Sequence, residues 1–246
     1  MRKWKWQIIF ASGLVFLSAI LYWTHYTIFH DTHHIFIYLL GDIAFVPIEV
    51  LMVTLIIQRL LKIREKRALL EKLNMIVGIF FSEMGTKLLT YLSDLDPELD
   101  KIREEFTTID EWTNNEFSRV SKVLQNYNYV IIIDKLDLEY LRRFFLKERS
   151  FLVRLLENPS LLEHESFTHL LRSVFHFAEE LSSRKKVSQL PKTDLEHLAN
   201  DIKRVYTQLV QQWLDYMKYL KNNYSFLFSF SMRTNPFNQE ASPIIQ

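Results

Sequence analysis

The sequence contains no cysteine, and this absence removes several classes of protein at once. There can be no disulfide scaffold, no Cys-ligated zinc or iron–sulfur site and no Cys nucleophile. Glycine is nearly as scarce, because the four glycines stand at positions 13, 41, 78 and 85. Rossmann loops, Walker loops and nucleophile elbows all require glycines. The chain after Gly85 therefore cannot supply them, and Gly-rich β architectures are disfavoured there too.

An excess of charge of one sign is also missing. The chain of 246 residues carries 30 Lys and Arg against 29 Asp and Glu, a formal net charge of +1. A nucleic-acid partner is therefore not predicted, since such proteins usually present a strongly basic surface. A hydrophobic fraction of 48% is too high for a disordered chain. The length predicts one domain or two small ones.

Long hydrophobic runs are present, and the first follows the N-terminal sequence RKWKW. Residues 8–23 are uncharged, and with 24–29 they form a helix long enough for a hydrocarbon core of about 30 Å. A cleaved signal peptide is the alternative. It is disfavoured because the run ends in Tyr22, Trp23 and Tyr26 instead of a small-residue cleavage site. We predict a membrane span over about 7–29.

The second hydrophobic run covers residues 35–61 and predicts a second span, because buried helices of soluble proteins rarely stay apolar for so long. The segment between the runs has no Lys or Arg, whereas basic residues precede the first run and follow the second. The positive-inside rule then places both termini in the cytoplasm. We predict a multi-pass protein of the inner, or cell, membrane, with a transmembrane hairpin over residues 1–61.

A collar of basic residues follows the second run, with Glu65 as the one acid among them: Arg59, Lys62, Arg64, Lys66 and Arg67. Such a collar attracts anionic headgroups by about 1 kcal/mol per charge. It is equally typical of an ordinary topology signal. The predicted partners are the lipid bilayer, with anionic lipids as candidates, other copies of the chain in a homo-oligomer, and an unidentified cytoplasmic protein.

The remainder of the chain predicts an all-α fold, an antiparallel helical bundle of about five helices over residues 62–232. The first helix continues the second span as far as 92, and the sequence Asp94–Pro97 ends it. Further helices are predicted at 98–126 and 129–157, followed by two with apolar stripes at 167–181 and 195–220. Residues 233–246 are rich in Asn, Pro, Gln and Ser and predict a flexible tail.

Two carboxylates inside the second span are the strongest functional signal. Asp42 and Glu49 are seven residues apart, so they share one helical face. A carboxylate at mid-membrane costs roughly 2.5–3.5 kcal/mol or more and is expected to face protein or water. One interpretation is an ion or proton pathway in a homo-oligomer. The other is a neutral acid that is hydrogen-bonded at a helix interface.

Other polar groups give weaker signals. His30, His33 and His34 have the chemistry of metal ligands, but their spacing matches no known motif. Glu83 lies in the apolar segment NMIVGIFFSEMG and is predicted to be a buried polar helix contact. A stripe of acids, histidines and an arginine from Glu165 to Glu180 is interpreted as solvated i,i+4 pairs, and so are His197 and Asp201. No cofactor and no resident metal are predicted.

Four segments resemble an uncharacterised family of prokaryotic two-span membrane proteins: GDIAFVPIEVLMVTLIIQRLL, REKRALLEKLNMIVGIFFSEMG, LLENPSLLEHESFTHLLRSVFHFAEEL and YLKNNYSFLFSFSMRTNPF. The resemblance runs from the second hydrophobic run to about Phe237. It implies a bacterial or archaeal inner membrane and no particular activity. No functional residue is carried over from it.

Three functions are compatible with these features. The first is a membrane-anchored interaction or sensory module without catalytic activity, which we favour. The second is a homo-oligomeric ion channel or proton pathway lined by Asp42 and Glu49. The third, an enzyme built on the His/Glu stripe, lacks an assignable base and nucleophile, so the chain is not expected to be an enzyme.

Overall fold

The computed structural model describes residues 2–244, apart from the side chains at 2–5, 100–102, 104, 134 and 162. Across this part of the chain all regular structure is helical, which confirms the all-α prediction. The basic side chains before the first run and the last two residues of the predicted tail lie outside the described residues. Contacts divide the chain into two units, Met1–Lys66 and Arg67–Gln246.

The first unit is a helical hairpin. Helix α1 covers Arg2–Phe29 and helix α2 begins at Thr32, so the connection consists of two residues, His30 and Asp31. His30 has a positive φ of 51°. The Asp31 Oδ1 accepts hydrogen bonds from the backbone N–H groups of His33 at 2.9 Å and His34 at 3.2 Å, which caps the start of α2. The segment between the two predicted spans, which has no Lys or Arg, is therefore mostly helical.

The second unit starts with the end of α2, which extends over Thr32–Phe80. A π-helical turn, Phe81–Gly85, and helix α3, Thr86–Ser93, continue it without a break. A Cβ at Gly85 would lie 2.7 Å from Phe80 Cε1 and 2.8 Å from Phe81 Cδ1, so this turn requires glycine. The continuation of the second run to about residue 92 and its end at Asp94–Pro97 are as the sequence predicted.

The next two helices differ from the prediction. Residues 98–126 form not one helix but α4, Asp100–Thr107, a 3₁₀ turn at Ile109–Glu111, and α5, Asn114–Gln125. The break occurs because Thr113 and Glu116 form a capping box that starts a new helix. Residues 127–132 are irregular, and after a 3₁₀ turn at Ile133–Lys135 helix α6, Leu138–Leu156, begins at its N-cap Asp137.

Helix α7 covers Glu165–Ser183, helix α8 covers Lys192–Asn223 and helix α9 covers Ser225–Arg233. Short 3₁₀ turns at Pro159–Glu163 and Val187–Gln189 join α6 to α7 and α7 to α8. Helix α8 is central, since α3, α5, α7 and α9 all pack against it, while α6 packs on α7. Hydrogen bonds from Gln211 to Ser121 and from Asn222 to Asn114 show that α5 and α8 run antiparallel. The stripes predicted for α7 and α8 are largely buried.

The segment after α9 corrects the prediction of a flexible tail. Phe237 is completely buried, its ring stacking on Phe106 at 4.2 Å and meeting Trp213 edge-on at 4.9 Å. Asn235 is also buried and donates to the Phe106 carbonyl at 2.8 Å. The polar composition of the segment predicted flexibility, and the two buried residues are few enough to leave that composition polar. A single aromatic ring is enough to fix a short segment to a core.

Candidate functional site

The carboxylates predicted inside the second span lie on α2 in the first unit. Asp42 and Glu49 are both exposed, and within the described residues neither makes an ion pair. Helix α2 is continuous between them, so their separation of seven residues keeps them on one face. The two acids therefore share one face of α2, as predicted. Their function stays a prediction.

The histidines of the hairpin do not converge on a common point. His30 Nδ1 lies 3.1 Å from the Tyr26 carbonyl, while the His34 ring stacks on His25 at 5.8 Å. His33 is exposed on the first turn of α2. Among the described residues, no group of three or more His, Asp or Glu side chains is placed to hold a metal ion.

The basic collar occupies α2 from Arg59 to Arg67, and all five of its basic side chains are exposed. Each is free of an ion pair within the described residues, so the positive charge of the collar is not cancelled by the rest of the chain. This arrangement can attract an anionic surface.

Glu83 is exposed, which corrects the prediction of a buried polar contact. The buried stripe of this segment consists of Phe80, Phe81, Met84 and Leu88. Glu83 lies two residues after Phe81, roughly half a turn around the helix, so it falls on the outer face. An apolar sequence around a charge therefore does not imply that the charge is buried.

A polar cluster joins α7 to α8 and was not predicted. Asp201 is 3% exposed, and its Oδ2 lies 3.5 Å from His176 Nε2 and 3.4 Å from His197 Nε2. Among the described residues this oxygen has no hydrogen-bond partner, while Oδ1 pairs with Arg204 at 3.2 Å. The interpretation of Asp201 as a solvated residue is wrong, whereas the pair Glu165–His169 is exposed as predicted.

Arg184 extends this cluster to the ends of the two helices. It follows α7, and its guanidinium makes a bidentate contact with Asp194 in the first turn of α8, at 2.6 and 2.8 Å. A further bond at 2.7 Å joins it to Glu180. The hydrogen bonds from Arg184 hold the pKa values of both carboxylates below their usual range. The contribution of these carboxylates to stability is therefore present at neutral pH and lost as pH falls through their lowered pKa values.

A second buried acid, Asp96, connects three distant segments. Its carboxylate accepts from the Tyr127 hydroxyl at 3.3 Å and from the Glu98 backbone N–H at 3.1 Å. Tyr129 and Tyr206 are buried beside it. Burial raises the pKa of Asp96. Burial, and then the charge of Asp96, raise those of Tyr129 and Tyr206.

In the sequence, the only signal that Asp96 and Asp201 are buried is the apolar residues around them. Asp201 follows Leu198 and precedes Ile202 on the most regular stripe of the chain, and Asp96 lies between two leucine-rich segments. Both clusters join distant segments of the second unit, and each is built around a buried carboxylate.

Comparison with known proteins agrees with this two-part organisation. Residues 1–61 match the family described as "MJ1433, N-terminal helical domain", and residues 69–233 match "Uncharacterized protein MJ1433, C-terminal helical domain". A relative from Methanocaldococcus jannaschii, described as "Uncharacterized protein MJ1433", is 46% identical over 241 residues, which are 98% of this chain and 97% of the relative. No solved structure matches the chain. The chain therefore belongs to the MJ1433 family of helical proteins, which confirms the resemblance to an uncharacterised prokaryotic family.

Proposed function

We propose that this chain is an integral membrane protein in which two apolar helices anchor a helical interaction module. The observation that carries the proposal is the exposure of the apolar helices. Both α1 and α2 are long and apolar enough to cross a membrane, and none of the most apolar stretch of either helix is buried inside the protein. A core helix of a soluble protein would bury most of this surface.

The free energy of burying apolar side chains supports a lipid environment for the first unit. Burying one large apolar side chain is favourable by about 1.5–3 kcal/mol. The exposed side chains of the first unit include Ile9, Val15, Leu40 and Val53, each more than half exposed, among many others. The combined free-energy cost of exposing these side chains to water would exceed the free energy of unfolding of a typical domain. A bilayer removes this cost.

The proposed orientation follows from the basic residues. The collar lies just after the apolar part of α2, and the hairpin connection at His30 and Asp31 has no Lys or Arg near it. We place the connection outside and both termini in the cytoplasm of a prokaryotic cell. The helical unit that starts at Arg67 then contacts a cytoplasmic protein partner.

The proposed role is interaction or signal relay without catalysis. The interior of the second unit is largely apolar, and its buried acids make structural contacts, Asp201 with His176 of α7 and Asp96 with Tyr127. The continuity of α2 from Thr32 to Phe80 supports a relay, because one helix belongs to both the apolar hairpin and the packed unit.

The absence of cysteine permits a direct test of topology. Thr32→Cys lies at the hairpin connection, and Lys185→Cys, the matched control, is exposed between α7 and α8. In intact cells a membrane-impermeant maleimide should label the Thr32 variant, and it should label the Lys185 variant only after permeabilisation. Release of the chain from membranes by alkaline carbonate, or labelling of both sites from outside, would contradict the proposal.

A channel remains the second candidate because Asp42 and Glu49 share an exposed face of α2. A homo-oligomer that turned these faces inward would cover both acids and offer a path for cations or protons. The native mass of the detergent-purified protein tests this first. A defined oligomer of four or more copies whose flux in vesicles falls with Glu49→Gln would support the channel, and a monomer or dimer would remove it.

A further inference from the structure

Helix α9 presents an apolar face to solvent. Phe228 and Met232 pack against the core, whereas Phe226 is 69% exposed and Phe230 is 50% exposed. Residues four apart share a helical face, so the two exposed rings lie side by side on the outer surface. A helix of nine residues that is apolar on both faces needs a partner for the outer one.

The position of α9 within the second unit is fixed by Tyr219 and Tyr224. Tyr224 immediately precedes α9, and its ring lies 5.8 Å from that of Tyr219 in the last part of α8. Burial, the contact with Tyr224 and the nearby Glu71 carboxylate together raise the pKa of Tyr219 to about 12. Glu71 is close to Arg67, where the chain enters this unit. A Cβ at Gly78 would lie 2.6 Å from the Tyr216 hydroxyl, so the last turns of α8, from which α9 starts, pack beside the end of α2.

The length of chain between this end and the apolar part of α2 is short. The apolar run ends at Leu61, ten residues before Glu71. Ten residues span at most about 35 Å even when they are fully extended. The second unit is therefore joined by a short connection to the helices proposed to insert into the membrane.

Charge favours an anionic surface as the partner. The sequence has no Asp or Glu from Tyr216 to Gln239, and Arg233 stands at the end of α9. The Arg233 guanidinium lies over the Phe230 ring, 5.8 Å from its centre, at the edge of the aromatic face. Aromatic rings beside a basic side chain are the pattern of helices that lie in the headgroup region of a membrane.

The area of the face argues against a second copy of the chain. The exposed parts of Tyr224, Phe226, Leu227 and Phe230 amount to roughly 400 Å², because large side chains bury about 150–250 Å² each. A stable protein interface needs about 800 Å² from each partner. A lipid surface has no such minimum, since the two apolar helices already hold the chain there.

We propose that α9 docks on the cytoplasmic lipid surface, with Phe226 and Phe230 inserted at headgroup level and Arg233 beside anionic headgroups. The inference rests on the proposed membrane function. It adds a second, reversible membrane contact to the two spans. Such a contact would hold the helical unit close to the bilayer, and its release would free the unit to reach a partner.

Quenching by spin-labelled lipid tests the docking on the full-length chain. The variant Phe226→Cys is labelled with an environment-sensitive fluorophore and reconstituted in vesicles of phosphatidylcholine and phosphatidylglycerol. Leu146→Cys on α6 is the control, because Leu146 is also a large apolar side chain at the surface, 50% exposed against 69% for Phe226. A quencher near the headgroups should remove most of the fluorescence at position 226 and leave that at position 146 unchanged. The quenching should weaken in vesicles of phosphatidylcholine alone.

Two further labelling positions distinguish a failure of the docking proposal from a failure of the membrane proposal. Val50→Cys, in the apolar part of α2, should be quenched by a deep spin label. If position 50 is quenched and position 226 is not, the docking is wrong and the membrane proposal stands. If position 50 is not quenched, the membrane proposal itself fails. Ser229→Cys, also exposed on α9, repeats the measurement without loss of an aromatic ring. Shielding at 226 and 229 that persists without lipid would show a protein partner and overturn the docking.

Discussion

At the scale of single residues, the C-terminal segment depends on Phe237. Its buried ring fills the space between Phe106 and Trp213. Phe237→Ala should lower the free energy of unfolding by about 3–5 kcal/mol, because it creates a cavity that the surrounding rings cannot close. Thermal unfolding in detergent measures this. Ile244→Ala is the control, since Ile244 is 74% exposed and should have little effect. Equal stability of both variants would show that the segment is not anchored.

The buried carboxylate of Asp96 should produce a specific pH dependence. Burial raises its pKa in the folded state above the unfolded value of about 3.9, so ionised Asp96 destabilises the fold. The free energy of unfolding should therefore gain a contribution as pH falls through the folded pKa towards the unfolded one. Asp96→Asn removes this titration while it keeps an acceptor for the Glu98 N–H.

The measurement is the difference in unfolding free energy between the wild type and Asp96→Asn, followed from pH 7 towards pH 4. The difference should shift in favour of the wild type as pH falls. Other acids titrate in both proteins and cancel. A difference that is constant with pH would mean that Asp96 has an unperturbed pKa.

At the scale of elements, Arg184 joins the end of α7 to the start of α8. Its bidentate contact with Asp194 is only partly exposed to solvent and is reinforced by Glu180. Arg184→Ala should lower the free energy of unfolding by about 1–3 kcal/mol, because charged hydrogen bonds are lost and two carboxylates lose their partner. Chemical denaturation of the purified protein measures the loss.

Arg149→Ala provides the matched control for Arg184. Arg149 also pairs with a glutamate on α7, Glu179, at 3.0 Å, but both side chains are more than 40% exposed. Exposed pairs contribute about 0–1 kcal/mol. Comparable losses in the two variants would show that the position of Arg184 between the helices has no special importance.

At the scale of the whole molecule, the end of α2 belongs to the core of the second unit. Leu73, Val77 and Phe80 have no exposed surface. A fragment of residues 67–246 should therefore be helical and monomeric. A fragment of residues 94–246 should aggregate, because the apolar side chains that pack against Leu73, Val77 and Phe80 would be exposed to water. Circular dichroism and gel filtration distinguish the two outcomes. A well-folded 94–246 fragment would contradict the view that α2 is part of this core.

The sequence by itself determined the helical class, the two long apolar helices, the stripes of α7 and α8 and the family. These features depend on composition and on periodicity over neighbouring residues, which a single helix expresses wherever it lies. The helix break at Thr113 is also encoded locally, by the capping box of Thr113 and Glu116. The apolar periodicity over 98–126 nevertheless predicted one continuous helix.

Only the tertiary structure decided which polar groups are buried. Asp201 is buried because α7 brings His176 against α8, and Asp96 is buried because residues 127–129 and α8 close over it. Glu83 is exposed although its neighbours are apolar, and Phe237 is buried although its neighbours are polar. Burial depends on which faces meet across long separations in the chain, and the pattern of neighbouring residues does not contain that information.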